Sequence, residues 1–252
     1  MNPLENFTIV LPAGGKGERM AALAATRKAN KAAIKIKGKS MIERTLEMYA
    51  RAGARRFVAL VFHKAESIIR TLGDGKRFGV RISYAVDPRE PVGKGGAIRL
   101  ALDKGIIPES LPMIVHNPDD QVVRIDARFP ALILARHRAA VKRGALATAV
   151  CVPETEYAYS AFNVRKGMAV SARMYPLVRM PTHIGVTIFE AAAAGIFRKL
   201  IPLSRKVDFE SVVLPHLAKR GRLGVAMIPS DCWIPVNDLK NYNKLRKYLD
   251  VL

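Results

Sequence analysis

The chain has 252 residues, enough to bury a sizeable core, and half of them are hydrophobic without any run long enough to span a bilayer. Lys and Arg number 42 against 21 Asp and Glu, and a net charge of +21 makes polyanions the natural partners: nucleotides, phosphorylated metabolites or nucleic acid. The two cysteines, Cys151 and Cys232, form no metal-type spacing, which argues against a zinc centre and for buried thiols.

Apolar and helical patterns alternate along the chain. Phe7–Leu11 reads as a buried strand, and the amphipathic run Met41–Ala50 as a helix ending near Gly53. Phe57–Phe62 predicts a second strand, Glu66–Leu72 a helix and Val80–Val86 a third strand. A helix is expected to begin at Ala97 and run to Leu102, ahead of a strand at Met113–Val115 that ends in HNPDDQ. Ala131–Arg143 predicts a helix, and Ala145–Val152 a further extended segment. This rhythm indicates a mostly parallel sheet with helices on both faces.

Beyond residue 150 the rhythm loosens. Tyr159–Val164 and Met168–Met174, joined by Arg165-Lys166-Gly167, read as a hairpin. His183–Phe189 predicts a strand, the alanine run to Leu200 a helix, and Phe209–Leu217 another helix. Gly224–Ile228 is expected to be extended, and Asn241–Leu249 to close the chain as a helix. No repeat or linker divides the sequence, so a single α/β domain over residues 1–252 is expected, with a smaller mixed subregion in its second half.

The stretch LPAGGKGERM, Leu11 to Met20, sets a glycine-rich basic turn directly after the first strand. Such a turn suits a phosphate, because small residues let the backbone approach an anion with its N–H groups inward. Two named versions fail: the P-loop spacing is absent, and Met20 stands where the dinucleotide fingerprint needs its third glycine. A plain strand-to-helix turn is the bland alternative.

A third pattern fits better. Gly14-Gly15-Lys16-Gly17-Glu18-Arg19-Met20, then Asn30-Lys31-Ala32-Ala33-Ile34, then Gly38-Lys39-Ser40-Met41-Ile42 resembles the sugar-phosphate nucleotidyltransferase family. Its signature runs G-G-x-G-T-R, then P-K-x-L, then G-K-P-M-I; Glu18, Asn30 and Ser40 depart from it, while the glycines, Arg19 and Lys31 are kept. Glu90-Pro91-Val92-Gly93-Lys94-Gly95-Gly96-Ala97 resembles the nucleotide-facing loop Q-P-x-G-T-A-x-A. Asn117-Pro118-Asp119-Asp120 resembles the metal-binding turn, and His183-Ile184-Gly185-Val186 the sugar-side strand. The segment Asp208–Leu214 resembles the E-x-x-D-V-L helix, and Trp233 through Asn237-Asp238 the closing segment.

The resemblance implies one Rossmann-like, GT-A-like three-layer domain, with a nucleotide-binding half (1–150) and an acceptor-binding half (151–252). It implies a Mg²⁺-dependent transfer of a nucleotidyl group from a nucleoside triphosphate to a sugar 1-phosphate or similar phosphate acceptor, releasing pyrophosphate. Such chemistry needs positioning and charge neutralisation rather than a covalent nucleophile. Arg19 is then expected on the leaving pyrophosphate and Lys31 at the α-phosphate. Ala13, Gly14, Gly15, Gly17, Gly93 and Gly95 are expected around the nucleotide, with Glu90 reading its base. As an acceptor-only group, Glu90 would favour an N–H-rich edge such as that of guanine, with uracil or thymine, which offer one imino N–H, left open. Asp119 is the preferred Mg²⁺ ligand with Asp120 in reserve, and Asn237 the second ligand with Asp238 in reserve.

The acceptor side departs most from the family. Met174 and Tyr175 stand where relatives carry the E-K of E-K-P, so Arg173, His183 and Gly185 are the expected acceptor residues. Two rivals stay open: a non-catalytic nucleotide- or RNA-binding regulator on the same fold, and a cytidylyl or molybdopterin-guanine type transferase. Basic residues are scattered with no basic tail or aromatic stripe, so nucleic acid is the less favoured partner. No membrane is expected as a partner, the start MNPLENFTIV has no signal-like stretch and points to the cytoplasm, and a homo-oligomer is left open.

Overall fold

A computed structural model describes residues 4–20, 28–88 and 92–251. Its strands are β1 (Thr8–Ala13), β2 (Arg56–Val61), β3 (Arg81–Val86), β4 (Met113–His116), β5 (Asp120–Val122), β6 (Ala147–Val152), β7 (Ser160–Arg165), β8 (Met168–Met174), β9 (Thr182–Phe189), β10 (Leu223–Met227) and β11 (Trp233–Pro235). The helices are α1 (Met41–Arg51), α2 (Ala65–Leu72), α3 (Gly93–Asp103), α4 (Phe129–Val141), α5 (Ala194–Leu200), α6 (Phe209–Lys219) and α7 (Leu239–Asp250). Short 3-10 turns and a few two-residue strands lie between them.

The central sheet runs in the order β10-β6-β9-β4-β1-β2-β3. Neighbours are parallel except at β9, which lies antiparallel to both β4 and β6. Strands from both halves of the sequence thus share one mostly parallel sheet. The pleat explains the apolar run of β1. Ile9 and Leu11 join one cluster with Leu46, Tyr49, Ile68 and Phe129 of α1, α2 and α4. Val10 joins the opposite cluster with Ile98, Phe197, Phe209 and Val213 of α3, α5 and α6. A strand covered on both faces has no polar side, so its sequence cannot alternate.

Local chemistry sets the helix starts. At α1, Ser40 accepts from the Glu43 N–H while the Glu43 carboxylate accepts from the Ser40 N–H, a complete capping box. Helix α3 begins at Gly93 rather than Ala97, despite its glycines. The N–H groups of Gly95 and Gly96 donate to the Val207 carbonyl at 2.9 and 3.3 Å, and that of Lys94 to Asp208 Oδ1 at 2.8 Å. A tertiary contact therefore supplies what helix propensity does not. Only glycine permits it, since a Cβ on Gly93 would lie 2.5 Å from the Val207 oxygen.

The expected hairpin is β7–β8. Lys166 and Gly167 both take positive φ (47° and 78°), the two-residue turn whose twist matches the strands it joins. Every residue of β8 is exposed.

Candidate active site

A cavity of about 560 Å³ opens where the chain leaves the carboxyl ends of β1, β2, β3 and β4, with Ala13, Phe62, Asp87 and Asn117 in its wall. From β1 the sheet grows through β2 and β3 on one side and through β4 on the other. Loops diverge at such a switch point and leave a crevice, which is where open α/β sheets bind ligands.

The glycine-rich stretch forms one rim. Ala13, Gly14, Gly15, Gly17 and Arg19 all line the cavity, Arg19 from the 3-10 turn Glu18–Met20. Gly14 lies against Phe62, where an added Cβ would sit 3.2 Å from the Phe62 Cβ. Gly17 has φ +69° and packs on the stem of Lys31.

Lys31 opens the 3-10 turn Lys31–Ala33, capped by the Asn30 side chain. Its Nζ forms an ion pair with Asp119 Oδ2 and donates to Asn237 Oδ1 at 3.2 Å. The last two residues lie far apart in sequence and are joined by strand pairing. β11 pairs with β5 so that Pro235 faces Asp120, and the Val236 N–H donates to the Asp119 carbonyl at 2.8 Å. A carboxylate oxygen and an amide oxygen thus converge on one point of positive charge. Hard oxygen donors of that kind suit Mg²⁺, which completes its shell with water and phosphate oxygens. Among the described residues no group of three or more His, Cys, Asp or Glu could hold a metal, so a cation here would rely on those outer ligands.

Behind this pair lies a buried layer that holds the turn. Asp120, expected as a reserve ligand, is buried; its Oδ1 accepts from Trp233 Nε1 at 3.0 Å and its Oδ2 from Asn117 Nδ2 at 3.1 Å. Burial, reinforced by Asp119, raises its pKa well above the carboxylate range. Both oxygens are occupied, so Asp120 braces Asp119 rather than facing the cavity. His116 is fully buried between Tyr49 and the Asp120 carbonyl, at 2.9 and 2.8 Å. A carbonyl only accepts, so Nε2 carries the proton and the Tyr49 hydroxyl donates to Nδ1.

Burial drives the His116 pKa down to about 4. An unfolded histidine titrates near about 6.5, so the unfolded chain takes up this proton first. The His116 contribution to stability is complete above that value and is lost as pH falls from there toward 4. Asp120, whose pKa is raised, works in the opposite direction over the same range, so the difference between two proteins is what isolates His116: in urea unfolding, a His116→Gln variant should lose less stability on acidification than the wild type. Equal slopes would refute the assignment. His137, also lowered by burial, adds a decline common to both proteins.

Other expected residues lie elsewhere. Gly93 lines the cavity, but Gly95 is buried and its N–H is spent on Val207. Arg173 stands exposed on β8 and is not among the residues that line the cavity. His183 Nε2 is held by the Val186 carbonyl and Thr187 Oγ1, both at 3.0 Å, and does not line the cavity. Gly185 packs against Asp120 and Asn117 rather than the cavity. Asp238 caps α7, accepting from the Asn241 N–H at 2.8 Å. Glu90 lies outside the described residues.

The cavity also contains residues the sequence did not single out: Asp87, Lys94, Lys206 and Asp208. Burial raises the Asp87 pKa. Its place was legible: Asp87-Pro88 follows directly on β3, and the carboxyl ends of strands are where such sheets bind ligands. Asp208 opens the segment likened to the E-x-x-D-V-L helix, whereas Lys206 has no such signal, and the contact between residue 207 and α3 brings both to the wall.

The nucleotidyl transferase family matches residues 8–249 of the chain. Among curated proteins, the bifunctional protein GlmU of Exiguobacterium sp. is 29% identical over 154 residues, covering 61% of this chain and 31% of the relative. The bifunctional IPC transferase and DIPP synthase of Aquifex aeolicus is 23% identical over 244 residues, covering 96% of this chain and 51% of the relative. The chain thus spans a third to a half of these relatives. Among solved structures, a Bacillus anthracis protein assigned as a glucose-1-phosphate thymidylyltransferase superposes with TM-score 0.71 at 15% identity, covering 96% of this chain and 94% of that one. HddC from Yersinia pseudotuberculosis, solved alone and with GMP-PN, gives TM-score 0.69 at 20% identity over 96% of this chain and 99% of that one. With a sheet, a glycine-rich rim and a lysine–carboxylate pair at its switch point, and the match running over nearly its whole length, the chain belongs to the nucleotidyl transferase family.

Proposed function

We propose that this protein is a cytoplasmic, Mg²⁺-dependent transferase that joins a nucleoside triphosphate to a phosphorylated sugar or polyol and releases pyrophosphate. The observation that carries this is the convergence of Lys31, Asp119 and Asn237 on the cavity rimmed by Gly14–Gly17 and Arg19. In the reaction an acceptor phosphate oxygen attacks the α-phosphorus, a new P–O bond forms, and the bond to the β-phosphate oxygen breaks. The electron pair leaves on pyrophosphate. Bound at Asp119 and Asn237, Mg²⁺ supplies charge neutralisation for the phosphates. Lys31 stabilises charge at the α-phosphate, and Arg19 holds the departing pyrophosphate.

Asp87 is the residue we assign to the base. Its carboxylate only accepts hydrogen bonds, which suits the adjacent N–H groups of guanine. The HddC complex with GMP-PN is consistent with that choice. With Arg173 outside the cavity lining, we assign the acceptor's phosphate to Lys206 and to Lys94, whose ammonium would exchange its Glu210 partner for the phosphate, and its hydroxyls to Asp208.

The test is thermal stability with each nucleoside triphosphate, with and without Mg²⁺. A ligand bound only by the folded state adds about 2.7 kcal/mol at a hundredfold excess over its Kd. GTP with Mg²⁺ should raise the midpoint most, and Asp87→Asn should erase the preference for guanine. A pyrophosphate-release screen of sugar and polyol phosphates then identifies the acceptor. Absence of a shift with every triphosphate would refute the proposal.

A further inference from the structure

We propose that Asn30 is a positioning residue that aims two backbone donors, the N–H groups of Gly14 and Lys16, at the phosphates of the nucleotide. The proposal rests on the nucleotide-binding role of this cavity and assigns how its rim is held. Asn30 is 3% exposed and is bonded through its amide and its backbone. Its Nδ2 shares two protons among three carbonyls, those of Ala13 and His63, both at 2.9 Å, and that of Gly15 at 3.2 Å through a bifurcated bond. Its Oδ1 accepts from the Ala32 N–H at 3.0 Å, and its own N–H donates to Ser67 Oγ at 2.9 Å. Ser67 Oγ in turn donates to the Lys64 carbonyl at 2.6 Å. The orientation of the amide is settled by its partners: three are carbonyls, which can only accept, and the fourth is an N–H.

The consequence lies in the peptide planes. In a trans peptide the carbonyl and the next N–H point in opposite directions. With the Ala13 and Gly15 carbonyls drawn onto Asn30, the Gly14 and Lys16 N–H groups are turned away from it. Neither makes a hydrogen bond among the described residues, although both residues line the cavity. Two unspent donors on a glycine-rich rim form a cradle for an anion. The same amide begins the turn carrying Lys31, so one side chain fixes the rim and the cation relative to each other. A proline at this position could supply neither the N–H to Ser67 nor the side-chain donors.

The experiment compares ligands with and without phosphate on the full chain. In the wild type, inorganic tripolyphosphate and GTP should both bind, and the backbone amide resonances of Gly14 and Lys16 should shift on adding tripolyphosphate. Asn30→Ala should weaken tripolyphosphate and GTP about tenfold or more, the cost of about one good hydrogen bond, and leave guanosine affinity unchanged. In turnover the loss should fall mainly on the KM for the triphosphate. Equal weakening of guanosine and GTP would mark Asn30 as merely structural and overturn the proposal. Amide resonances of Gly14 and Lys16 that stay still would overturn it without any variant, which covers the case in which Asn30→Ala fails to fold. A wild type that binds none of the phosphates defeats the functional proposal itself, a result distinct from both.

Discussion

Replacing Lys31 by methionine is expected to slow nucleotidyl transfer a hundred- to a thousandfold, roughly the effect of removing one preorganised donor from a developing charge. Methionine retains the apolar stem that packs under Gly17 and removes only the ammonium. Most of the loss should therefore appear in kcat, with the stability midpoint little changed. The variant also tests the metal site. The Lys31 ammonium sits on Asp119 Oδ2 and Asn237 Oδ1, the two oxygens assigned to Mg²⁺. A divalent cation and this ammonium cannot share that point, so in the wild type the metal should bind weakly until a nucleotide offers Lys31 another partner. In Lys31→Met, Mn²⁺ titrated without nucleotide should bind more tightly than in the wild type. Equal Mn²⁺ affinity in the two proteins would place the metal elsewhere.

Gly185→Ala should be among the most destabilising single-methyl additions in the chain. Gly185 has φ +72°, and a Cβ there would stand 2.1 Å from Asp120 Oδ2 and 2.4 Å from Asn117 Nδ2. Neither neighbour can yield cheaply. Asp120 is fixed by Trp233, and the Asn117 N–H donates to the Gly185 carbonyl at 3.0 Å. Left-handed backbone and overpacking together cost about 2–4 kcal/mol, or roughly 10 °C in midpoint for a chain of this size. Because the displaced groups brace Asp119, the Mg²⁺-dependent thermal shift with nucleotide should shrink as well. A variant that melts like the wild type would show that the Asp120 layer is not held in this way.

The sequence carried the elements and one rim of the cavity, and it did so for local reasons. Phe7–Leu11, Phe57–Phe62 and Ala145–Val152 are apolar without alternation because their strands are covered on both faces, and this pattern survives in one dimension. Gly14, Gly15, Gly17 and Arg19 follow directly on β1, and Lys31 comes a short way on in the sequence, so their shared role could be seen before any packing was known. The start of α3 and the three-residue strands β5 and β11 could not, because each exists only through a partner far away in sequence.

The same distinction divides the candidate site. Sequence alone nominated Asp119 and Asp120 together; which of them faces the cavity depends on whether its oxygens are used up by Asn117 and Trp233, a matter of burial. Arg173 was nominated as the cation nearest the missing E-K pair and His183 from the sugar-side strand, yet Arg173 is exposed outside the cavity lining and a neighbouring carbonyl engages His183. Lys206 and Asp208 reach the cavity because two glycines, Gly93 and Gly95, let α3 touch Val207 closely. By itself the sequence determined the α/β architecture and a basic, glycine-rich anion rim, since strand patterning and turn chemistry act between near neighbours. The tertiary structure alone decided which carboxylate meets Lys31 and that Lys94 and Lys206 line the cavity, because those outcomes depend on contacts between groups distant in sequence.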